Sequence, residues 1–128
     1  MSGEYKVHGN ERNVSVSYVV GGWPVGITNA DNAGLLMPSE SFPPGRWWLA
    51  RINVLENRAP GVARGQGIGS EMMRRLQENL VTQPGFIELL VAPGGYGADE
   101  KKQWNFYLKC GFVPFGDGAL VWRSHGTN

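Results

Sequence analysis

The chain has 128 residues and a mass of 14.0 kDa, the size of one domain, and such a length buries roughly two-thirds of its unfolded surface without staples. Twelve basic residues against eleven acidic ones give a net charge of +1, with no run of either sign, which argues against nucleic acid as the main partner. One cysteine, Cys110, excludes an internal disulfide framework, and His8 and His125 stand too far apart for a zinc motif, so no metal is expected.

No apolar run reaches the roughly 18 residues of a membrane span, and the N-terminus MSGEYKVHG lacks a signal-peptide core. The expectation is a cytoplasmic protein of one domain spanning residues 1–128. Along the chain, Val14, Val16, Tyr18 and Val20 alternate with Ser15, Ser17 and Val19, the period of a half-buried strand. Gly21 and Gly22 close it, and Pro24–Thr28 is its expected hairpin mate. The segment from Asn29 to Arg46 carries Pro38, Pro43, Pro44, Gly34 and Gly45 and reads as loop, with a brief strand over Leu35–Met37. RWWLARINVL, Arg46–Leu55, is apolar and β-branched enough for a central strand, and Glu56–Ala63 is a loop.

Ile68, Met72, Met73, Leu76 and Leu80 then lie on one face of a helix, with Glu71, Arg74, Arg75, Gln77, Glu78 and Asn79 on the other. Pro84–Gly85 breaks it, FIELLVA (Phe86–Ala92) reads as a buried strand, and Pro93–Gly97 as a loop. Asp99 can cap a second helix that runs to Cys110 and ends at Gly111. Phe112–Trp122 reads as two strands about a turn at Gly116–Gly118. Strands and helices in this order make an α/β protein.

Gly65, Gly67 and Gly69 stand at the mouth of the first long helix. A helix N-terminus offers unpaired N–H groups and the positive end of a dipole, and glycines let backbone approach a phosphate closely. The segment is a candidate diphosphate cradle, although three glycines also serve simply to turn a chain into a helix. A P-loop is excluded because Gly69, not lysine, precedes Ser70. A dinucleotide fingerprint is excluded by glycine spacing and by the distance from the preceding strand.

The spacing R-x-x-G-x-G, Arg64-Gly65-Gln66-Gly67-Ile68-Gly69, resembles the acetyl-CoA signature of the GNAT superfamily of N-acetyltransferases. FYLKCGF, Phe106–Phe112, resembles that family's F-Y-x-K-x-G-F element. The resemblance covers about Arg46 to Trp122. It implies a mixed sheet, flanked by helices, that splays between the strand ending near Leu55 and the strand Phe86–Ala92, with pantetheine in the gap. It implies that amides of Arg64, Gly65, Gln66, Gly67, Ile68, Gly69 and Ser70 hold the pyrophosphate. Backbone at Val54 and Leu55 would bond the pantetheine or the acetyl oxygen. The implied reaction is attack of a neutral amine on the thioester of acetyl-CoA, with Tyr107 protonating the departing sulfur. A phenol, with a pKa of about 10, holds its proton at neutral pH. The other reading of Tyr107 is a core aromatic packed with Trp104 and Leu108.

Four features depart from the family pattern: a shortened N-terminal region before Val14, a long Glu56–Ala63 loop, no asparagine in Pro93–Gly97, and no clear general base. Glu56 is the nearest carboxylate and the candidate base, a solvated loop glutamate being its other reading. Cys110 reads as a structural cysteine, since no histidine stands at a partner position. One ring of Trp47–Trp48 is expected to line an acceptor pocket and the other to pack inside. The acceptor is an amine on a small molecule or a protein, and a second copy of the chain could complete the short N-terminal region as a homodimer. A CoA-binding or interaction module without turnover, and an acyltransferase for longer chains, are the rival readings.

Overall fold

The computed structural model of the protein describes residues 3–54, 67–93 and 100–124. In chain order they form β1 (Glu4–Gly9), β2 (Asn13–Val20), β3 (Trp23–Asp31), α1 (Ala33–Leu36) and β4 (Arg46–Val54). There follow α2 (Ile68–Leu80), β5 (Glu88–Val91), α3 (Glu100–Lys109), β6 (Val113–Pro114) and β7 (Leu120–Arg123). Among the described residues the strands make one seven-stranded sheet in the order β1-β2-β3-β4-β5-β7-β6. It is mixed: β1 to β4 form an antiparallel meander, β4 and β5 run parallel, and β7 pairs antiparallel with both β5 and β6.

Alternation of side chains gives the sheet a helix face and an open face. Val14, Val16, Ala30, Trp47, Leu49, Leu89, Val91 and Leu120 are buried on the helix face, where Ile68, Met72, Met73, Leu76 and Leu80 of α2 pack on them. The five α2 residues are those of its predicted apolar stripe, so burial of that stripe is what seats the helix. Ser15, Ser17, Asn29 and Arg51 fall on the opposite face, in register across β2, β3 and β4 for Ser15, Asn29 and Arg51.

Three expectations need correction. Residues before Val14 include a strand: β1 pairs residue for residue with β2, and Asn10 builds the turn between them by accepting from the N–H groups of Arg12 (2.8 Å) and Asn13 (3.0 Å). This strand joins the next through a tight turn, without a helix between. Second, Leu35–Met37 is not a strand. Backbone bonds from Leu35 and Leu36 to Asn32 and from Met37 to Ala33 wind one helical turn, α1, which Pro38 follows. Gly34 fixes this turn against the returning chain, since a Cβ there would lie 2.2 Å from the Pro43 carbonyl oxygen. Third, the buried strand over Phe86–Ala92 contracts to Glu88–Val91, while the hairpin strand at Pro24–Thr28 extends to Trp23–Asp31.

Candidate functional site

Strands β4 and β5 pair only at Arg46–Glu88, Trp47–Leu89 and Trp48–Leu90. Past Trp48, β4 continues for six residues and, among the described residues, pairs with β3 alone, so the sheet opens into a gap. The opening coincides with a β-bulge: Asn29 faces Arg51 and Ala30 faces Leu49, leaving Ala50 as an extra residue. A bulge bends its strand and increases the local twist, which turns β4 away from β5. The buried Thr28 hydroxyl donates to the Arg51 carbonyl at 2.8 Å and steadies the bent strand.

The closed end of the gap is tied by charge. Register places Arg46, Glu88 and Arg123 side by side on β4, β5 and β7. Glu88, only 6% exposed, accepts from Arg46 Nε at 2.6 Å and from Arg123 Nε at 3.0 Å. Arg46 also donates to the Ser41 carbonyl at 2.7 Å and lies over the Phe115 ring. A buried carboxylate is tolerated only with such pairing. This triad was not foreseen, although a glutamate inside FIELLVA was its signal.

At the other end lies the start of α2. Gly67 is its N-cap residue, with φ 80° and ψ 10°, and its carbonyl accepts the first helical bond from Glu71 at 2.9 Å. The N–H groups of Ile68, Gly69 and Ser70 therefore have no partner within the helix, and no side chain caps them among the described residues. Among the described residues, nothing lies within 4 Å of the point where a Cβ on Gly67 would stand. Glu71, in the first turn, is drawn instead to Arg74 and to Arg75 (2.7 Å). Hydrogen bonds from Arg74, helped by those from Arg75, hold its carboxyl down at about 2. Open amides, a positive dipole end and clear space above a left-handed glycine are what an incoming phosphate requires.

Gly69 has a different task. A Cβ there would meet the Phe106 ring at 3.6 Å, so this glycine faces α3 rather than the open space. Gly26 sets the helix over the mouth of the gap: its missing Cβ would lie 3.1 Å from the Met72 side chain and 3.6 Å from the Asn53 carbonyl. Gly26 pairs with Val54, the last described residue of β4. The start of α2 and the free end of β4 are thus neighbours. Of the expected cofactor residues, the structure brings Val54, Gly67, Ile68, Gly69 and Ser70 to this end. Ile68 is buried and anchors the turn, whereas Ser70 is exposed. Leu55, Glu56, Arg64, Gly65 and Gln66 lie outside the described residues, as does the capping residue Asp99.

Tyr107 is 4% exposed, in α3, with ring centroids 5.3 Å from Phe112 and 5.4 Å from Phe106. Its position follows from the helix end. Gly111, at φ 94°, lets the Phe112 N–H reach the Tyr107 carbonyl and the Gly111 N–H reach the Leu108 carbonyl, a Schellman motif with its usual apolar contact between Tyr107 and Phe112. Of the two neighbours in the core reading of Tyr107, Trp104 packs against the core cluster, whereas Leu108 is 40% exposed. Burial, with a smaller contribution from Cys110, pushes the phenol up to about 12. Burial likewise pushes the Cys110 thiol up to about 11, the opposite of what a nucleophile needs. The Cys110 carbonyl accepts from Gln77 Nε2 at 3.0 Å, which ties α3 to α2. Trp47 is wholly buried, while Trp48 lies on the open face, edge-on to Phe42, at the point where β4 leaves β5. Among the described residues no three His, Cys, Asp or Glu side chains gather as a metal would need, and no helix is long and apolar enough to cross a membrane.

Protein-family models give no match to this sequence, and comparison with curated proteins gives none. Solved structures do match. The PaiA N-acetyltransferase of Thermoplasma acidophilum, in complex with coenzyme A, aligns over 88% of this chain with a TM-score of 0.61 at 11% identity. The aminoglycoside acetyltransferase AAC(6')-Ib, in complex with coenzyme A and kanamycin, aligns over 91% with a TM-score of 0.61 at 18% identity. A GNAT family acetyltransferase of Brucella melitensis, in complex with acetyl-CoA, aligns over 87% with a TM-score of 0.55 at 18% identity. The chain spans 61%, 70% and 58% of these three proteins, respectively. In its mixed, splayed seven-stranded sheet and the helices that flank it, the chain has the fold of the GNAT acetyltransferases.

Proposed function

We propose that this protein is an N-acetyltransferase that moves an acetyl group from acetyl-CoA to an amine acceptor by direct attack. The observation that carries the reading is the uncapped start of α2, with its left-handed Gly67, beside the free end of β4. Amides of Arg64 to Ser70 hold the pyrophosphate there, and backbone at Val54 and Leu55 bonds the pantetheine or the acetyl oxygen. An N–H fixed on that oxygen stabilises the charge that develops when an amine adds to the thioester carbonyl. The new C–N bond forms, the C–S bond breaks, and the departing sulfur takes its proton from Tyr107. A phenol held near 12 stays protonated through the neutral range, as an acid must. Glu56 is the proposed base for the proton released by the amine.

Thermal unfolding with ligands tests the cofactor assignment. CoA and acetyl-CoA at 100 times their dissociation constant each add about 2.7 kcal/mol of stability, and pantetheine, which lacks the phosphates, adds much less. An unchanged melting temperature at saturating CoA would overturn the assignment.

A further inference from the structure

The two edges of the sheet are unlike. β6 is two residues long and one of them is Pro114, a short edge blunted against further pairing. β1 has six residues, contains no proline, and pairs with β2 at every position, so its outer edge presents a straight row of N–H and C=O groups. Among the described residues no strand covers that edge. Val7 is 37% exposed on it, and a groove of about 300 Å³, lined by Val7, Arg75, Glu78, Asn79 and Thr82, opens between β1 and α2.

We propose that this edge pairs with β1 of a second copy, antiparallel and about a two-fold axis through Tyr5, to give one continuous sheet of two chains. The argument is charge and register. A two-fold perpendicular to the sheet keeps helix face with helix face, so an axis through a given residue runs midway between it and the partner's copy, and opposed residues share a face. Glu4 and Lys6 lie on the open face, opposite Val19 and Ser17 of β2. An axis through Lys6 sets Lys6 against the partner's Lys6, and an axis through Val7 sets Lys6 against the partner's His8. An axis through Tyr5 sets Glu4 against the partner's Lys6 and Lys6 against the partner's Glu4. A lysine on an edge strand ordinarily discourages pairing, but with Glu4 two residues away the edge becomes complementary to itself. On the helix face the same axis sets Tyr5, which stacks on Tyr18 (4.6 Å) under Arg75 (4.5 Å), beside the partner's Tyr5. The gap between β4 and β5 lies four strands in from this edge, so both gaps stay open in the pair.

Sedimentation velocity on the full chain, over a concentration series reaching millimolar protein, tests the pairing. The expected result is a monomer–dimer equilibrium. Lys6→Glu and Glu4→Lys each replace two attractive cross-strand pairs with two repulsive ones and weaken it by roughly 10-fold or more. The double swap restores it. Tyr5→Cys, made in a Cys110→Ala background, gives a disulfide-linked dimer on oxidation, because opposed residues in antiparallel strands lie about 4.5–5.5 Å apart at Cα, within disulfide range. Val7→Cys does not. A monomer at every concentration overturns the proposal, as does a dimer indifferent to the single swaps or one cross-linked through Val7 and not Tyr5.

Discussion

Gly67→Ala separates a phosphate cradle from a simple turn. The wild-type backbone there holds φ 80° and ψ 10°. For a residue with a Cβ, left-handed backbone costs about 1–2 kcal/mol. Because no described residue lies within 4 Å of the added methyl, no clash with them increases that cost. A chain of this size should therefore melt about 4–8 °C lower and keep its fold. The same methyl stands on the N-cap residue, next to the open amides of Ile68, Gly69 and Ser70 where the proposed phosphate must approach. CoA affinity should fall at least about 10-fold, or about 1.4 kcal/mol. Gly69→Ala is the contrasting variant. Its methyl meets the Phe106 ring at 3.6 Å, an ordinary contact, inside a helix where alanine is favoured over glycine by roughly 0.5–1 kcal/mol. That variant should melt at or above the wild-type temperature. Circular dichroism melts give the first quantity and calorimetric titration with CoA gives the second. A folded Gly67→Ala protein that binds CoA with wild-type affinity would refute the cradle.

Tyr107→Phe keeps the ring between Phe106 and Phe112 and removes the proton donor, so kcat should fall by roughly 10²–10⁴ while CoA affinity holds; equal kcat in both proteins would return this residue to the core alone. With the folded phenol raised from 10 to about 12, the folded state holds a proton that the unfolded chain releases. Stability attributable to Tyr107 is thus complete below pH 10 and declines by about 3 kcal/mol as pH rises towards 12, which urea titrations across that range on wild type and Tyr107→Phe should resolve as a difference in slope. Glu71 runs the other way: held at about 2, it contributes stability above pH 4.5 that is lost as pH falls from 4.5 to 2, and Glu71→Gln should flatten that limb of the acid denaturation curve. Glu88→Ala leaves Arg46 without its buried partner at the closed end of the gap and should cost about 3 kcal/mol in urea unfolding; a loss below about 1 kcal/mol would show the triad to be incidental.

The α2 stripe was legible because every one of its apolar residues meets the same sheet face, and a 3.6-residue period records that directly. The Gly111 helix end was legible for a similar local reason, since only a positive-φ residue closes a Schellman turn. β1 was not legible. Its residues EYKVHG are mostly exposed, and an edge strand with one lightly buried face gives almost no alternation to read. α1 was misread because LLM has strand-like hydrophobicity, while the turn is set by the distant approach of Pro43 to Gly34. The strand that begins at Trp23 contains Pro24, which a central strand should exclude. β3 accommodates it at an irregularity opposite Val19, beyond the last described pair with β4. In the candidate site, the glycine spacing pointed to the start of α2, but it could not tell that Gly69 faces Phe106 while Gly67 has no described neighbour where a Cβ would stand. Nor could it show the Ala50 bulge that opens the gap, because a bulge is a mismatch between two strands and neither carries it alone.

Acetyl transfer itself is the claim to measure. The protein is incubated with isotopically labelled acetyl-CoA and a panel of amines spanning peptide N-termini, lysine side chains, polyamines and aminoglycosides, and acceptors and thiol are quantified together by mass spectrometry. The account predicts an amine that gains one labelled acetyl group, with free CoA appearing in equal amount and Tyr107→Phe slowing both. CoA binding without any acetylated amine, over the whole panel, would contradict it and leave a binding module in place of an enzyme.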